Sequence, residues 1–111
     1  METRPVINII GTRCRPEVEE KFNTWYNEIH IPMLLKFKGL REVTRYRILE
    51  PSEEYPQHLN IYEFDSRQAF EEYETSPEFT AAVDEMQETW REGGWERKWR
   101  VQYEVIKTWR K

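Results

Sequence analysis

"LREVTRYRILEPSEEYPQHLNIYEF", residues 40–64, is the stretch that decides the fold. Its first ten residues are rich in β-formers and alternate, with Val43, Arg45 and Arg47 on one face and Thr44, Tyr46 and Ile48 on the other. EPSEEYP (50–56) is a polar, proline-bounded loop, and QHLNIYEF (57–64) is a second β-rich run. So short a connection makes the two runs a hairpin. What flanks the hairpin sets the topology.

Toward the N-terminus, Gly39 breaks the chain after a helical stretch in which Val18, Phe22, Trp25 and Ile29 recur at spacings of four, three and four. Pro16 suits the first turn of that helix, and Glu17, Glu19 and Glu20 favour the positive end of its dipole. PVINIIGT (5–12), bounded by Gly11 and then Pro16, is a short buried strand. Toward the C-terminus, Asp65 or Ser66 caps a helical stretch that turns Phe70 and Tyr73 inward. SPEF (76–79) restarts the helix with Ser76 as cap and Pro77 at the first position. Phe79, Val83, Met86 and Trp90 then follow as one stripe, until Gly93-Gly94 ends it. Residues 97–109 alternate as Trp99, Val101, Tyr103 and Val105 against Arg100, Gln102, Glu104 and Ile106, which predicts a long fourth strand. The order β-α-β-β-α-β is the ferredoxin-like pattern, an α+β fold with a four-stranded antiparallel sheet and both helices on one face. Both faces of these strands carry apolar or aromatic side chains, so the uncovered face would be a large apolar patch. A second copy is the simplest cover, which predicts a homodimer with its sheets face to face.

A chain of 111 residues is expected to form a single domain, 1–111. Five Trp, six Tyr and five Phe beside 34% charged residues give a bulky aromatic interior and a solvated exterior. No run approaches the ~20 apolar residues that span a bilayer, so no membrane partner is expected. METRPVINIIGTRCR does not have the form of a signal peptide. One cysteine, Cys14, cannot pair within the chain, which fits a reducing compartment and a cytoplasmic location. The net charge of −4 is uneven: residues 1–90 carry 10 basic and 18 acidic side chains, residues 91–111 carry 7 and 3. The basic tail WERKWRVQYEVIKTWRK is read as a charged final strand rather than a nucleic-acid patch.

WYNEIHIPMLLKFKGL (25–40) interrupts its own helix. On a helical wheel with Phe22 at zero, Tyr26 falls near 40° and His30 near 80°, at about 100° per residue. Trp25 and Ile29 lie on the other side, so His30 sits at the margin of the apolar stripe. Pro32 cannot bond back to Glu28 and disfavours helix at Ile31, which predicts a kink or an end beside His30. A histidine there can cap the freed carbonyls in its protonated form, or serve as a general acid/base. Both readings stay open on the residues alone.

WYNEIHIPML resembles the helix of EthD-like proteins (named for ethyl tert-butyl ether degradation), in which a Tyr or Trp precedes a His-x-Pro. FDSRQAFEEYETSPEFTAAVDEMQETW is similar to their second helical region, with its Ser-Pro-Glu break and its Ala-x-Asp before an aromatic residue. With the strand order, the resemblance covers nearly the whole chain and implies the dimeric α+β barrel superfamily. That superfamily includes cofactor-free monooxygenases, lactone isomerases, polyketide cyclases and haem-degrading enzymes. Its members commonly hold a small, hydrophobic, often aromatic ligand between sheet and helices. The resemblance implies a pocket at His30 and carries Tyr26 over with it, with Trp25 nearby. Asn8, Tyr46, Asn60 and Tyr62 are strand residues that can point into such a pocket. No cofactor is expected from the residues, and haem enters only by analogy.

Other candidates weaken on inspection. His58 opens a strand beside a loop and is expected to be solvent-exposed. Two isolated histidines with no HExxH and no cysteine pairs predict no metal site. Cys14 lies between Arg13 and Arg15 but has no base beside it in sequence, and is expected to be an inert loop thiol. Arg45 and Arg47 can clamp a carboxylate, although alternating Arg on a strand more often marks a solvated or interface face. There is no glycine-rich phosphate loop, and QHLNIYEF lacks the glycine and basic start of an RNA-recognition strand. The expected function is a homodimer binding a small hydrophobic or aromatic metabolite, enzymatic through His30 or, alternatively, non-catalytic.

Overall fold

The structure is a computed structural model and describes residues 3–111. Four strands, β1 (Val6–Cys14), β2 (Leu40–Arg47), β3 (His58–Phe64) and β4 (Trp95–Glu104), form one sheet in the order β2-β3-β1-β4. Every neighbouring pair is antiparallel. This is the ferredoxin-like α+β arrangement expected from the alternating periods. The strand ends follow from pairing. β4 stops at Glu104 because its partner β1 begins at Val6, opposite it. Beyond that point Val105 donates to the Pro5 carbonyl at 2.9 Å, and among the described residues the rest of the tail pairs with no strand.

The first helical segment differs from the expectation. It opens with a 3-10 turn (Pro16–Val18), continues as α1 (Glu19–Trp25), widens into a π turn (Tyr26–His30) and resumes as α2 (Ile31–Leu34). The helix therefore runs through Pro32 instead of ending there. Proline lacks the N–H for an i−4 bond, and its ring crowds the carbonyl one turn back. Widening that turn relieves the crowding: the Ile31 N–H reaches back five residues to the Tyr26 carbonyl. α3 (Arg67–Glu74) and α4 (Pro77–Thr89) start as the sequence predicts. The Ser66 hydroxyl accepts from the Ala69 N–H, and the Ser76 hydroxyl accepts from the Phe79 N–H, both at 3.1 Å. Gly93, at φ 76°, turns the chain out of α4 and donates to the Trp90 carbonyl.

Inward-facing residues of β1 and β3 alternate strictly, with Val6, Asn8 and Thr12 opposite Phe64, Tyr62 and His58. All six are buried. The helices cover this face in two clusters. One gathers Leu34, Phe64, Phe70, Tyr73 and Ala82; the other gathers Phe22, Trp25, Tyr26 and Trp90 around Cys14. Phe22 alone meets the rings of Trp25, Tyr26, His58, Trp90 and Trp95 at 5.2–6.2 Å. The opposite face carries Ile7, Ile9, Leu59, Ile61, Tyr46, Trp99, Val101 and Tyr103. Tyr46 and Tyr103 keep 50% and 57% of their surface in solvent. Gly11 lies on this face under Pro56, whose Cγ would stand 2.7 Å from an added Cβ. Only glycine lets the β2–β3 loop close down there.

Candidate functional site

A cavity of about 440 Å³ lies where the two clusters fail to meet. Its walls are apolar: Ile10 from β1, Leu34 from α2, Phe79, Val83 and Met86 from α4, and Trp95 from β4. Its polar groups are Asn8, Tyr26, His30, Tyr62 and Tyr73, with Glu96, Arg97 and Arg100 from β4. An apolar enclosure with a few converging polar groups is the usual form of a small-ligand site.

The π turn explains how His30 comes to this wall. Each residue of a π turn advances by less than the 100° of an α-helix, so His30 falls back toward the meridian of Phe22. Its ring stacks on Trp25 with centroids 4.6 Å apart and meets Tyr26 edge-on at 5.1 Å. Ile29, expected inside, is left 43% exposed. His30 is therefore a buried residue within a continuing helix and not a cap at its end. Burial pulls its pKa down to about 4, with the Glu85 carboxylate acting the other way. The imidazole is neutral at physiological pH, and its Nδ1 has no hydrogen-bond partner among the described residues. Glu85 is itself held by the Trp25 indole N–H at 2.7 Å and by the Thr89 hydroxyl.

The cavity floor is a pair of phenols. The Tyr62 hydroxyl donates to the Tyr26 hydroxyl at 3.3 Å. Burial raises the pKa of both, and at Tyr62 the neighbouring Tyr26 adds to the rise, whereas at Tyr26 the Tyr62 hydrogen bond and the charge of Arg45 work against it. Asn8 accepts from the Gln102 amide at 2.9 Å. At the mouth Arg100 pairs with Glu74 at 2.7 Å, whereas Arg97 has no ion-pair partner among the described residues.

Of the residues singled out in the sequence, Asn8, Tyr26, His30 and Tyr62 share this wall. Trp25 stands behind it as the platform for His30. Asn60 is wholly buried beside Arg45 rather than on the wall. Tyr46 is placed on the other face of the sheet, because it pairs with Leu59 and not with an inward residue of β3. Its expected place in the pocket is therefore corrected. His58 is also corrected: it is 3% exposed, packed on Phe22, with its pKa lowered by burial and then by the charge of Arg45. Cys14 ends β1 instead of lying in a loop, and burial raises its thiol pKa, as suits an inert side chain.

Arg45, weighed in the sequence as a carboxylate clamp or part of a solvated or interface face, is half-buried and meets amides instead. Its Nε donates to Asn60 Oδ1 at 3.0 Å, Nη1 to Asn27 Oδ1 at 2.8 Å and Nη2 to Asn23 Oδ1 at 2.9 Å. Its guanidinium lies 4.6 Å over the Tyr26 ring. Asn23 and Asn27, one helical turn apart beside an apolar stripe, were the available signal. Among the described residues no group of His, Cys, Asp and Glu could hold a metal ion.

Residues 6–93 match the family described as "Domain of unknown function (DUF4286)", and the chain belongs to that family. No curated protein matches the sequence. Among solved structures, the hydroxynitrile lyase from Passiflora edulis superposes with a TM-score of 0.70 at 15% identity, covering 98% of this chain and 100% of that one. A DABB family protein with a ferredoxin-like fold from Mesorhizobium loti gives 0.66 at 12% identity, covering 95% and 98%. An ethyl tert-butyl ether degradation (EthD) family protein from Bacillus halodurans gives 0.65 at 16% identity, covering 93% and 99%. The EthD-like, dimeric α+β barrel resemblance of the two helical motifs thus agrees with the fold.

Proposed function

We propose that this DUF4286 protein is a homodimer that binds a small hydrophobic or aromatic compound in the cavity at His30, and that His30 exchanges a proton with it. The observation that carries the reading is the wall itself: apolar side chains on most sides, and on one a neutral imidazole beside two paired phenols. A neutral His30 can take a proton from carbon next to a carbonyl. The electron pair then passes to the carbonyl oxygen, and the phenol pair is placed to donate to it. Similar folds include the Passiflora edulis hydroxynitrile lyase, which supports a catalytic use without assigning one. The apolar outer face of the sheet supports the dimer, since a second copy would bury Tyr46, Trp99 and Tyr103. No helix of the described residues is long and apolar enough to cross a membrane. The single free cysteine supports a cytoplasmic location.

One observation favours a second reading, a non-catalytic binder. A base with a pKa of about 4 is weak for work near neutrality, where efficiency peaks for groups that titrate near the operating pH. The experiment is a panel of phenols, lactones and aromatic ketones, read by quenching of tryptophan fluorescence and by product formation. Saturable quenching by none of them defeats both readings. Where a compound binds and turns over, His30→Gln is expected to lower the rate by about 10²–10⁴ with binding retained. An unchanged rate removes His30 from the chemistry.

A further inference from the structure

Arg45 is half-buried, yet all three of its protein partners are neutral amide oxygens, those of Asn23, Asn27 and Asn60. It makes no ion pair among the described residues. A guanidinium removed from water ordinarily finds a carboxylate. Here the charge is fixed in place but not cancelled. The three amides come from the first helical segment and from β3, so they hold the fork between helix and sheet beside Tyr26. The plane they fix is the one that sets the cation over the face of Tyr26, 4.6 Å from its centroid. Tyr26 in turn accepts from Tyr62. Its own proton is thereby free for a third oxygen, and the cavity is where that oxygen would sit.

We infer that Arg45 is a positioning residue: it orients Tyr26 and supplies an uncancelled positive charge, so that the Tyr62–Tyr26 chain donates to a ligand oxygen that carries or develops negative charge. The inference rests on the binding reading above and gives it a chemical class, phenolates and enolisable carbonyl compounds. Other groups facing Tyr26 do not reverse it. Arg97 from β4 adds positive charge, the cavity-wall carboxylate Glu96 is paired with Lys98 at 3.7 Å, Arg100 is paired with Glu74, Tyr62 and Tyr73 are neutral phenols, and His30 is neutral. Glu85, on the far side of Trp25, is occupied by the indole and by Thr89. A merely structural Arg45 would hold β2 to the helix and leave the ionisation of a bound phenol unchanged.

The test uses 4-nitrophenol as probe. Binding is read by tryptophan quenching and ionisation by the visible absorbance of its anion. A cation with only neutral partners in a partly buried site favours a nearby anion by about tenfold. The ratio of bound anion to bound phenol at fixed pH is therefore expected to fall about tenfold in Arg45→Met, and to recover in part in Arg45→Lys. Binding to both proteins with an equal ratio overturns the inference and leaves the binding reading intact. If 4-nitrophenol and its relatives bind to neither, the binding reading falls, and Arg45 is judged on the ligand-free protein. Ultraviolet titration, with Tyr26→Phe to assign the signal, should then show Tyr26 ionising later in Arg45→Met; no shift overturns the inference. Should Arg45→Met fail to fold, Asn23→Ala/Asn27→Ala frees two of the three clamps, and an unchanged ratio there has the same force.

Discussion

His30→Gln separates the buried histidine of this structure from a capping histidine by the sign of a pH effect. In the folded protein the imidazole titrates at about 4, against 6.5 for an ordinary histidine. Between these values the unfolded chain binds the extra proton, so stability rises with pH. His30 is 8% exposed, so little of this is lost to solvent screening. From about pH 7.5 down to about pH 5, the linkage relation gives a loss of about 2 kcal/mol from this one group. Near 4 °C per kcal/mol, that is roughly 8 °C in Tm. The glutamine is expected to lower stability at both pH values but to abolish this group's share of the slope. His58, whose pKa is also lowered, leaves a residual slope of the same sign in both proteins. The assay is urea or thermal unfolding of wild type and variant at the two pH values, at one protein concentration. A capping histidine would have its pKa raised, and wild type would then lose less stability than the variant on acidification. Equal losses in the two proteins, or a smaller loss in wild type, refute the argument.

Sedimentation equilibrium at micromolar concentration should give twice the monomer mass of 13.7 kDa, and Tyr103→Glu, on the outer face of the sheet, should shift it toward the monomer. A monomeric wild type would count against the paired-sheet assembly. Ser76→Ala should cost about 1 kcal/mol in urea unfolding, since it removes the acceptor for the Phe79 N–H. A change within a few tenths would show that the Pro77 turn holds α4 without its cap.

The fold was legible because each element carries one clear period and one clear stop. Leu40–Arg47 and His58–Phe64 alternate, the α4 stripe keeps a helical spacing, and Ser66, Ser76 and Gly93 sit where chain direction changes. The site was legible only in part. Alternation places Tyr46 with Thr44 but does not say which face meets the helices; the Tyr46–Leu59 pair does. The helical wheel assumed one angular step throughout, and the π turn changed that step at His30, turning Ile29 outward. A one-residue change of register cannot be seen in a hydrophobic pattern this short. The partners of Arg45 were hidden for a different reason: they lie 15, 18 and 22 residues away, and all are asparagines, which carry no charge to match.

The placement of polar groups argues that one end of the sheet is built for something besides stability. At the β1-start end, the inward pairs are Val6 with Phe64, joined by Leu40 and Phe70 in a dry cluster. Further along the same two strands Asn8, Asn60, Thr12 and His58 join Ile10 and Tyr62 on the inward face. Thr12 Oγ1, His58 Nδ1 and Asn60 Nδ2 are buried there without a protein partner, as is His30 Nδ1 above them. Each such group costs about 1–3 kcal/mol unless water or a ligand meets it. Aliphatic side chains at those positions would avoid the cost and keep the alternation. The aromatic packing around Phe22 offsets it locally, since five rings lie within 6.2 Å of that one side chain. A fold selected for packing alone would have no use for this combination. Of these four residues only His30 lines the cavity, while His58 packs on Phe22 and Asn60 holds Arg45, so the rigid aromatic frame and the polar groups behind it hold His30 and the phenol pair still for a ligand.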